Sequence, residues 1–167
     1  VPEGKDILDF IAECPEQKAH VLLEKLDRIE IKLAEISLPA EGLDLLMKTL
    51  KRFDIKMGII TRNTKQNAQT SLDKIDVLKY FPDECIIGRD EALPKPDPDG
   101  IFKLLESWKG TPDNTVMVGD YLYDLQAGKA AGTATVHVDK TRAFSWGDIA
   151  DVKVRSLIEL NNRFLGL

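Results

Sequence analysis

The sequence predicts an α/β protein built on a doubly wound parallel sheet, and two alternating patterns after about residue 40 support this prediction. Short apolar runs rich in valine, isoleucine and methionine alternate with segments whose apolar residues recur at helical spacing. The runs have the length expected of strands that are buried on both faces of a parallel sheet. Alternation of strand and helix is typical of this architecture, in which each crossover is right-handed.

Four strands and four helices are predicted in this part of the chain. The predicted strands cover residues 57–60, 85–87, 116–118 and 135–138. Two helices are indicated by apolar stripes, which run through Leu43, Leu46, Leu50 and Phe53 and through Ala68, Leu72, Ile75 and Leu78. A third helix is expected to begin at Asp97 and Pro98, with Ile101, Leu105 and Trp108 on its apolar face. A fourth is expected to run from near Leu122 to Gly132.

Residues 1–37 follow a different pattern and are predicted to form a separate helical unit, ahead of an α/β unit at residues 38–167. A short helix is expected before Pro15. A second helix carries apolar residues at alternating spacings of three and four, namely Ala19, Leu22, Leu26, Ile29, Leu33 and Ile36. This seam is expected to pack within an antiparallel helix pair. A dimerising coiled coil is the alternative, so a monomer or a weak dimer is expected.

Composition and charge bound the possible classes of protein. A net charge of −5 argues against binding to nucleic acid as the main activity. Apolar runs stay well short of the roughly 20 residues that cross a membrane. Cys14 and Cys85 form no CxxC pair and are expected to be reduced thiols in a cytoplasmic protein. Since the sequence begins at Val1 and not at methionine, it is expected to be a fragment of a longer protein.

The strongest chemical signal is a pair of carboxylates, Asp120 and Asp124, that follow the predicted strand ending near Gly119. Ligands of open α/β sheets bind outside the carboxyl ends of the strands. Mg²⁺ prefers one or two carboxylates together with water and substrate oxygens. Asp120 could therefore ligate the metal directly, with Asp124 one helical turn away holding the metal or its waters. The alternative is that the two residues are a turn former and a helix cap.

Two further motifs suit a phosphate group. Thr61 ends a buried strand, and its hydroxyl, together with the backbone N–H groups of Arg62 and Asn63, could cradle an anion. Lys95 lies between Pro94 and Pro96, which fix the backbone just before a helix. Taken alone, these residues also fit an ordinary helix cap and a surface lysine. Their order along successive α/β units, however, brings them to the same edge of one sheet as Asp120.

In these motifs the sequence resembles the haloacid dehalogenase (HAD) superfamily, and in particular its phosphoglycolate-phosphatase-like branch. The resemblance runs from about residue 38 to residue 160, through GIITRN, GRDEALPKPDPDGI and MVGDYLYDLQAGKAAGT. It implies a Rossmann-like fold and a Mg²⁺-dependent phosphatase acting on a small phosphorylated metabolite. It also implies that Thr61 and Lys95 bind phosphate, that Lys95 restrains the nucleophile, and that Asp120 ligates Mg²⁺ with Asp124 close by. Residues 1–37 would be part of a small helical cap.

One part of the family pattern is absent from the sequence. Members carry their nucleophile in a D-x-D motif after a first, central strand, where the first Asp forms an aspartyl-phosphate and the second acts as acid and base. The only similar triplet, Asp97-Pro98-Asp99, follows a proline-rich turn instead of a strand. We therefore expect a sheet that lacks its first strand and that folds poorly unless the gap is filled.

Two other functions are left open. The first is a catalytically inactive module that only binds phosphorylated ligands. The second is a phosphoglucomutase, whose chemistry differs only in the acceptor. A dehalogenase is disfavoured, because displacement of halide from carbon has no use for the metal site at Asp120 and Asp124.

Overall fold

The computed structural model describes residues 6–167, which form seven helices and five strands. The helices are α1 (Ile7–Ala12), α2 (Glu16–Glu35), α3 (Leu43–Arg52), α4 (Lys65–Lys74), α5 (Asp99–Trp108), α6 (Leu122–Ala131) and α7 (Leu157–Phe164). The strands are β1 (Ile59–Ile60), β2 (Ile86–Ile87), β3 (Val116–Gly119), β4 (Ala134–Val138) and β5 (Val152–Val154). Within this range no helix combines the length and the apolar character that crossing a bilayer requires.

The strands pair in parallel, as predicted, but they form two sheets instead of one. β1 pairs with β2, which places Ile59 opposite Ile86 and Ile60 opposite Ile87. The second sheet has the order β3-β4-β5, and both of its pairings are also parallel. The four predicted strands are present. A fifth strand, β5, was not predicted, because its short Val-Lys-Val alternation did not reveal it.

Helices lie on both faces of the strand layer, as a doubly wound fold requires. Ile59 points to a core built with α3, α4 and α7, whose buried members include Leu46, Leu72 and Ile86. Because neighbouring strand residues point to opposite faces, Ile60 lies in a second core, under α5 and α6. Met117 of β3 packs against that same core. The two sheets therefore share one layer of helices.

A gap separates the two sheets at the centre of the layer of strands. Within residues 6–167, β1 is paired only with β2, and β3 only with β4. Since Ile60 and Met117 pack against the same core, the unpaired edges of β1 and β3 face each other. On the other face of β3, Val116 and Val118 remain 53% and 41% exposed. The gap lies where the resemblance to the HAD superfamily places the missing first strand.

Helices α1 and α2 contact each other at the amino end of the described residues, and we call this pair the cap. Helix α2 packs against α4, with Leu26 and Ala34 buried. The prediction that the apolar seam packs within a helix pair is wrong for its second half, because Ile29, Leu33 and Ile36 are 54%, 57% and 68% exposed. The face of α2 that meets the core carries Leu26, Glu30 and Ala34, which are spaced four residues apart. Glu30 pairs with Arg89 of the core, and this pairing directs that face inward and leaves the second half of the seam outside.

Candidate active site

Lys95 connects the carboxyl ends of the two sheets. Its ammonium group donates to the main-chain oxygen of Ile60, at the end of β1, over 2.8 Å. It also donates to the Asp124 carboxylate over 2.6 Å, in the first turn of the helix that follows β3. Thr61 directly follows Ile60, and Asp120 directly follows β3. The structure thus places Thr61, Lys95, Asp120 and Asp124 at one edge of the strand layer.

Asp124 is a buried carboxylate with hydrogen bonds to both oxygens. Its side chain is 9% exposed. One oxygen accepts from Lys95, and the other accepts from the backbone N–H of Tyr121 over 3.1 Å, which caps α6. In this arrangement Asp124 is a counter-ion for Lys95 and a helix cap. Its predicted role beside a metal remains a prediction.

Gly119 allows Asp124 to approach the end of β3. A Cβ atom at Gly119 would lie 2.1 Å from the Cβ of Asp124, far inside van der Waals contact. We therefore expect Gly119→Ala to lower the free energy of unfolding by about 1–3 kcal/mol, because Asp124 must move away from Lys95. Urea unfolding measures this change. Gly110→Ala is the control, since its new methyl group would meet nothing closer than 3.5 Å; an equal effect of the two substitutions would contradict the prediction.

Asp120 is exposed at the carboxyl end of β3. Its carboxylate makes no hydrogen bond or ion pair with any residue between 6 and 167, and it lines a cavity of about 510 Å³ together with Val118 and Asp139. Among the described residues, no three acidic, histidine or cysteine side chains converge on one point. A hard cation would fit here as Mg²⁺ often does, held by one carboxylate with water and phosphate oxygens as its other ligands.

Thr61, Arg62 and Asn63 form a turn whose side chains mostly contact other parts of the protein. The Thr61 hydroxyl oxygen accepts from the backbone N–H of Asn63 over 3.0 Å. Arg62 forms ion pairs with Asp6 and Asp9 of the cap. When the side-chain amide of Asn63 is oriented so that both its oxygen and its nitrogen have suitable partners, the nitrogen donates to the Glu30 carboxylate over 2.7 Å. Arg62 and Asn63 were predicted to bind phosphate through their backbone N–H groups, and that of Asn63 is donated to Thr61 instead. The side chains of both residues face the cap.

Arg89 is a residue of this edge that the sequence analysis missed. Its guanidinium pairs with Glu30 over 2.9 Å and with Asp27, and its backbone N–H donates to the Asn63 oxygen over 2.9 Å. Burial raises the pKa of the Glu30 carboxyl, against the lowering effect of Arg89. The sequence did contain a signal for a basic partner of α2. Two acidic residues, Asp27 and Glu30, lie on the same face of that helix as the buried Leu26 and Ala34.

The fold and this edge define a doubly wound α/β protein with a candidate anion site at the carboxyl ends of its strands. The chain belongs to the haloacid dehalogenase-like hydrolase family, whose model matches residues 2–138. This match confirms the resemblance drawn from the sequence and the predicted class of fold.

Individual relatives agree with this assignment. A protein of Clostridium perfringens named for the pyrophosphatase PpaX is 36% identical over 139 residues, which are 83% of this chain and 64% of that protein. A haloacid dehalogenase-like hydrolase domain-containing protein of Arabidopsis thaliana is 30% identical, over 96% of this chain and 67% of that one. A HAD hydrolase of family IA from Entamoeba histolytica superposes with a TM-score of 0.81 at 17% identity, over 94% and 75% of the two chains. The chain thus spans about two thirds of the length of these curated relatives.

Proposed function

We propose that the protein is a Mg²⁺-dependent phosphatase that acts on a small phosphorylated metabolite through an aspartyl-phosphate intermediate. The observation that carries the proposal is the position of Lys95, whose ammonium group touches the end of β1 and the helix that follows β3. A cation held at this point lies beside the gap between the two sheets. A phosphoryl group bound there would find its negative charge compensated.

The neighbouring residues supply the other parts of the proposed phosphate site. The Thr61 hydroxyl can donate its hydrogen to a phosphate oxygen while its own oxygen accepts from Asn63. The Asp120 carboxylate would hold Mg²⁺, which supplies positive charge to the phosphoryl oxygens when it is bound. Asp124 keeps the Lys95 ammonium in place. These residues bind and orient a phosphoryl group, and none of them is suited to be the nucleophile.

The nucleophile would come from a strand that fills the gap between β1 and β3. A strand running parallel to both would end at the edge where Lys95 and Asp120 lie, so an Asp after that strand would face the bound phosphoryl group. Its carboxylate oxygen attacks phosphorus, and the phosphorus–oxygen bond to the alcohol breaks as the second Asp of the D-x-D motif protonates the leaving oxygen. Water, deprotonated by that same Asp, then cleaves the acyl phosphate and releases phosphate. The similar triplet at Asp97 and Asp99 does not substitute, because Asp99 accepts from Leu93 and Lys103 in a turn that opens α5.

The relatives support hydrolysis of a phosphate compound. The Clostridium perfringens relative carries the name of a pyrophosphatase, which cleaves a phosphoanhydride instead of a monoester. We propose the monoesterase because the sequence motifs resemble the phosphoglycolate-phosphatase-like branch. A catalytically inactive module that binds phosphorylated ligands is the alternative, and the test below separates the two.

The proposal predicts that a chain extended at its amino end through a strand bearing D-x-D hydrolyses p-nitrophenyl phosphate with Mg²⁺. Asp120→Ala should lower the rate by about 10²–10³-fold, because the ion loses the carboxylate proposed to ligate it. Asp113→Ala is the matched control, since Asp113 is an exposed aspartate at the opposite end of β3. Activity that survives both EDTA and Asp120→Ala would overturn the metal mechanism. Phosphate binding without turnover would favour the inactive module.

A further inference from the structure

On the basis of the proposed function, we propose that Arg62 is a positioning residue that couples the seating of the cap to the position of Lys95. One guanidinium group contacts both. Its Nη2 atom donates to Asp6 over 2.7 Å and to Asp9 over 2.8 Å, at the start of α1. Its Nη1 atom donates to the main-chain oxygen of Lys95 over 2.8 Å. The cap and the turn that carries Lys95 are therefore joined through a single side chain.

The surroundings of Arg62 hold the guanidinium in this orientation. The side chain is 16% exposed and lies 5.0 Å from the ring centroid of Tyr123. The Tyr123 hydroxyl donates to Asp9 over 3.1 Å, so the same carboxylate is bound from two sides. The Nε atom of Arg62 is buried and has no partner among residues 6–167. Leaving a buried donor unpaired costs free energy. The guanidinium nevertheless keeps this orientation, which indicates that the three hydrogen bonds of its Nη atoms outweigh the cost at Nε.

Arg89 makes a second connection between cap and core, and it serves as an internal comparison. It binds Asp27 and Glu30 of α2 and the main chain of the turn at residues 61–63. Unlike Arg62, it makes no contact with Lys95. Arg89 thus joins the cap to the main chain of Arg62 and Asn63. Among residues 6–167, the side chain that contacts both the cap and Lys95 directly is that of Arg62. A role in attaching the cap is shared by both arginines, whereas a role in positioning Lys95 belongs to Arg62.

This difference matters for the proposed chemistry. The Lys95 ammonium must stay between the Ile60 oxygen and Asp124 to meet a phosphoryl group. A displacement of about 1 Å at a reacting group can cost roughly 100-fold in rate. The Arg62 guanidinium holds the main chain of Lys95 and the start of α1 simultaneously. A cap that is fully seated would therefore also set the lysine in its working position.

Amide hydrogen exchange tests the coupling without any assay of activity. The Phe10 amide, bonded to the Asp6 oxygen, reports on α1, and the Asp97 amide, bonded to the Pro94 oxygen, reports on the turn that carries Lys95. Arg62→Ala should raise both exchange rates at least several-fold. The double variant Asp6→Asn/Asp9→Asn, in which asparagine can still cap α1, should raise the rate at Phe10 and, by a smaller factor, the rate at Asp97, because it releases only the cap end of the guanidinium. Arg163→Ala, which removes an exposed pair within α7, should change neither.

An unchanged Asp97 rate in Arg62→Ala would overturn the proposal, whatever the protein catalyses. In the extended chain, Arg62→Ala should lower kcat by about 10–100-fold with little change in KM, and Arg62→Lys should not restore it, because one ammonium group cannot reach three acceptors. The Asp6→Asn/Asp9→Asn variant should lower kcat in the same direction, and an unchanged kcat there would show that the seating of the cap does not affect Lys95. Absence of hydrolysis in the unsubstituted chain would count against the proposed function, and the exchange pattern would still decide the coupling.

Discussion

Replacing Lys95 by methionine is expected to lower the free energy of unfolding by about 3–5 kcal/mol and to abolish hydrolysis by the extended chain. The Lys95 and Asp124 side chains are only 12% and 9% exposed. Methionine fills a similar volume but leaves the Asp124 carboxylate buried without a cation. It also leaves the Ile60 oxygen without its donor. Denaturant unfolding followed by circular dichroism measures the loss.

Two further variants make this prediction specific. Lys95→Met combined with Asp124→Asn should recover part of the stability, since a neutral amide needs no counter-ion and can still accept from Tyr121. The double variant should remain inactive, because the cation is still missing. Lys48→Met removes an exposed pair with Asp44 and should barely move the unfolding midpoint. If Lys48→Met and Lys95→Met lower the free energy of unfolding equally, the buried Lys95–Asp124 pair contributes no more to stability than an exposed pair.

The position of the candidate site could be predicted because it depends on local rules. A buried apolar run predicts a strand, and the residue after each run lies at the carboxyl edge of a parallel sheet. Thr61 and Asp120 are placed by this rule alone. Lys95 follows no strand directly, and its place was predicted from the order of the motifs and from the prolines beside it. The structure brings Lys95 to the same edge.

The partners of charged side chains could not be predicted, because they lie far apart in sequence. Arg62 was expected to bind substrate through its backbone N–H, and nothing near it in the sequence indicated the partners of its side chain, because Asp6 and Asp9 precede it by more than 50 residues. The same limit explains the error in α2. Ile29 fits the apolar seam, but the ion pair of Glu30 with Arg89 turns the neighbouring face toward the core. Periodicity describes one helix, whereas a pairing across the fold decides which of its faces is buried.

Helix ends were predicted less well than helix positions, again for a physical reason. The stripe from Ala68 to Leu78 predicts one helix, but α4 ends at Lys74 and Leu78 lies in a separate 3₁₀ turn. Between them Asp76 adopts a left-handed backbone conformation, with φ at 57°. A single such residue ends the helix without interrupting the apolar spacing. The apolar residues beyond the break still pack on the same core.

Extending the chain at its amino end by an apolar strand is expected to raise the free energy of unfolding by on the order of 5 kcal/mol. The strand would pair with the facing edges of β1 and β3, and each backbone hydrogen bond formed there contributes about 0.5–1.5 kcal/mol net. It would also cover Val116 and Val118, which are 53% and 41% exposed. Denaturant unfolding of the two chains side by side measures the gain.

A second extended chain, with proline at the middle of the added strand, is the control. Proline has no N–H to donate and is not tolerated inside a paired strand, so most of the gain should disappear. Amide exchange in β1 and β3 should slow only in the chain that lacks this proline, because only there do both edges become paired. Equal stability of all three chains would mean that the gap between β1 and β3 does not accept a strand. The proposed nucleophile would then have no route to Lys95 and Asp120.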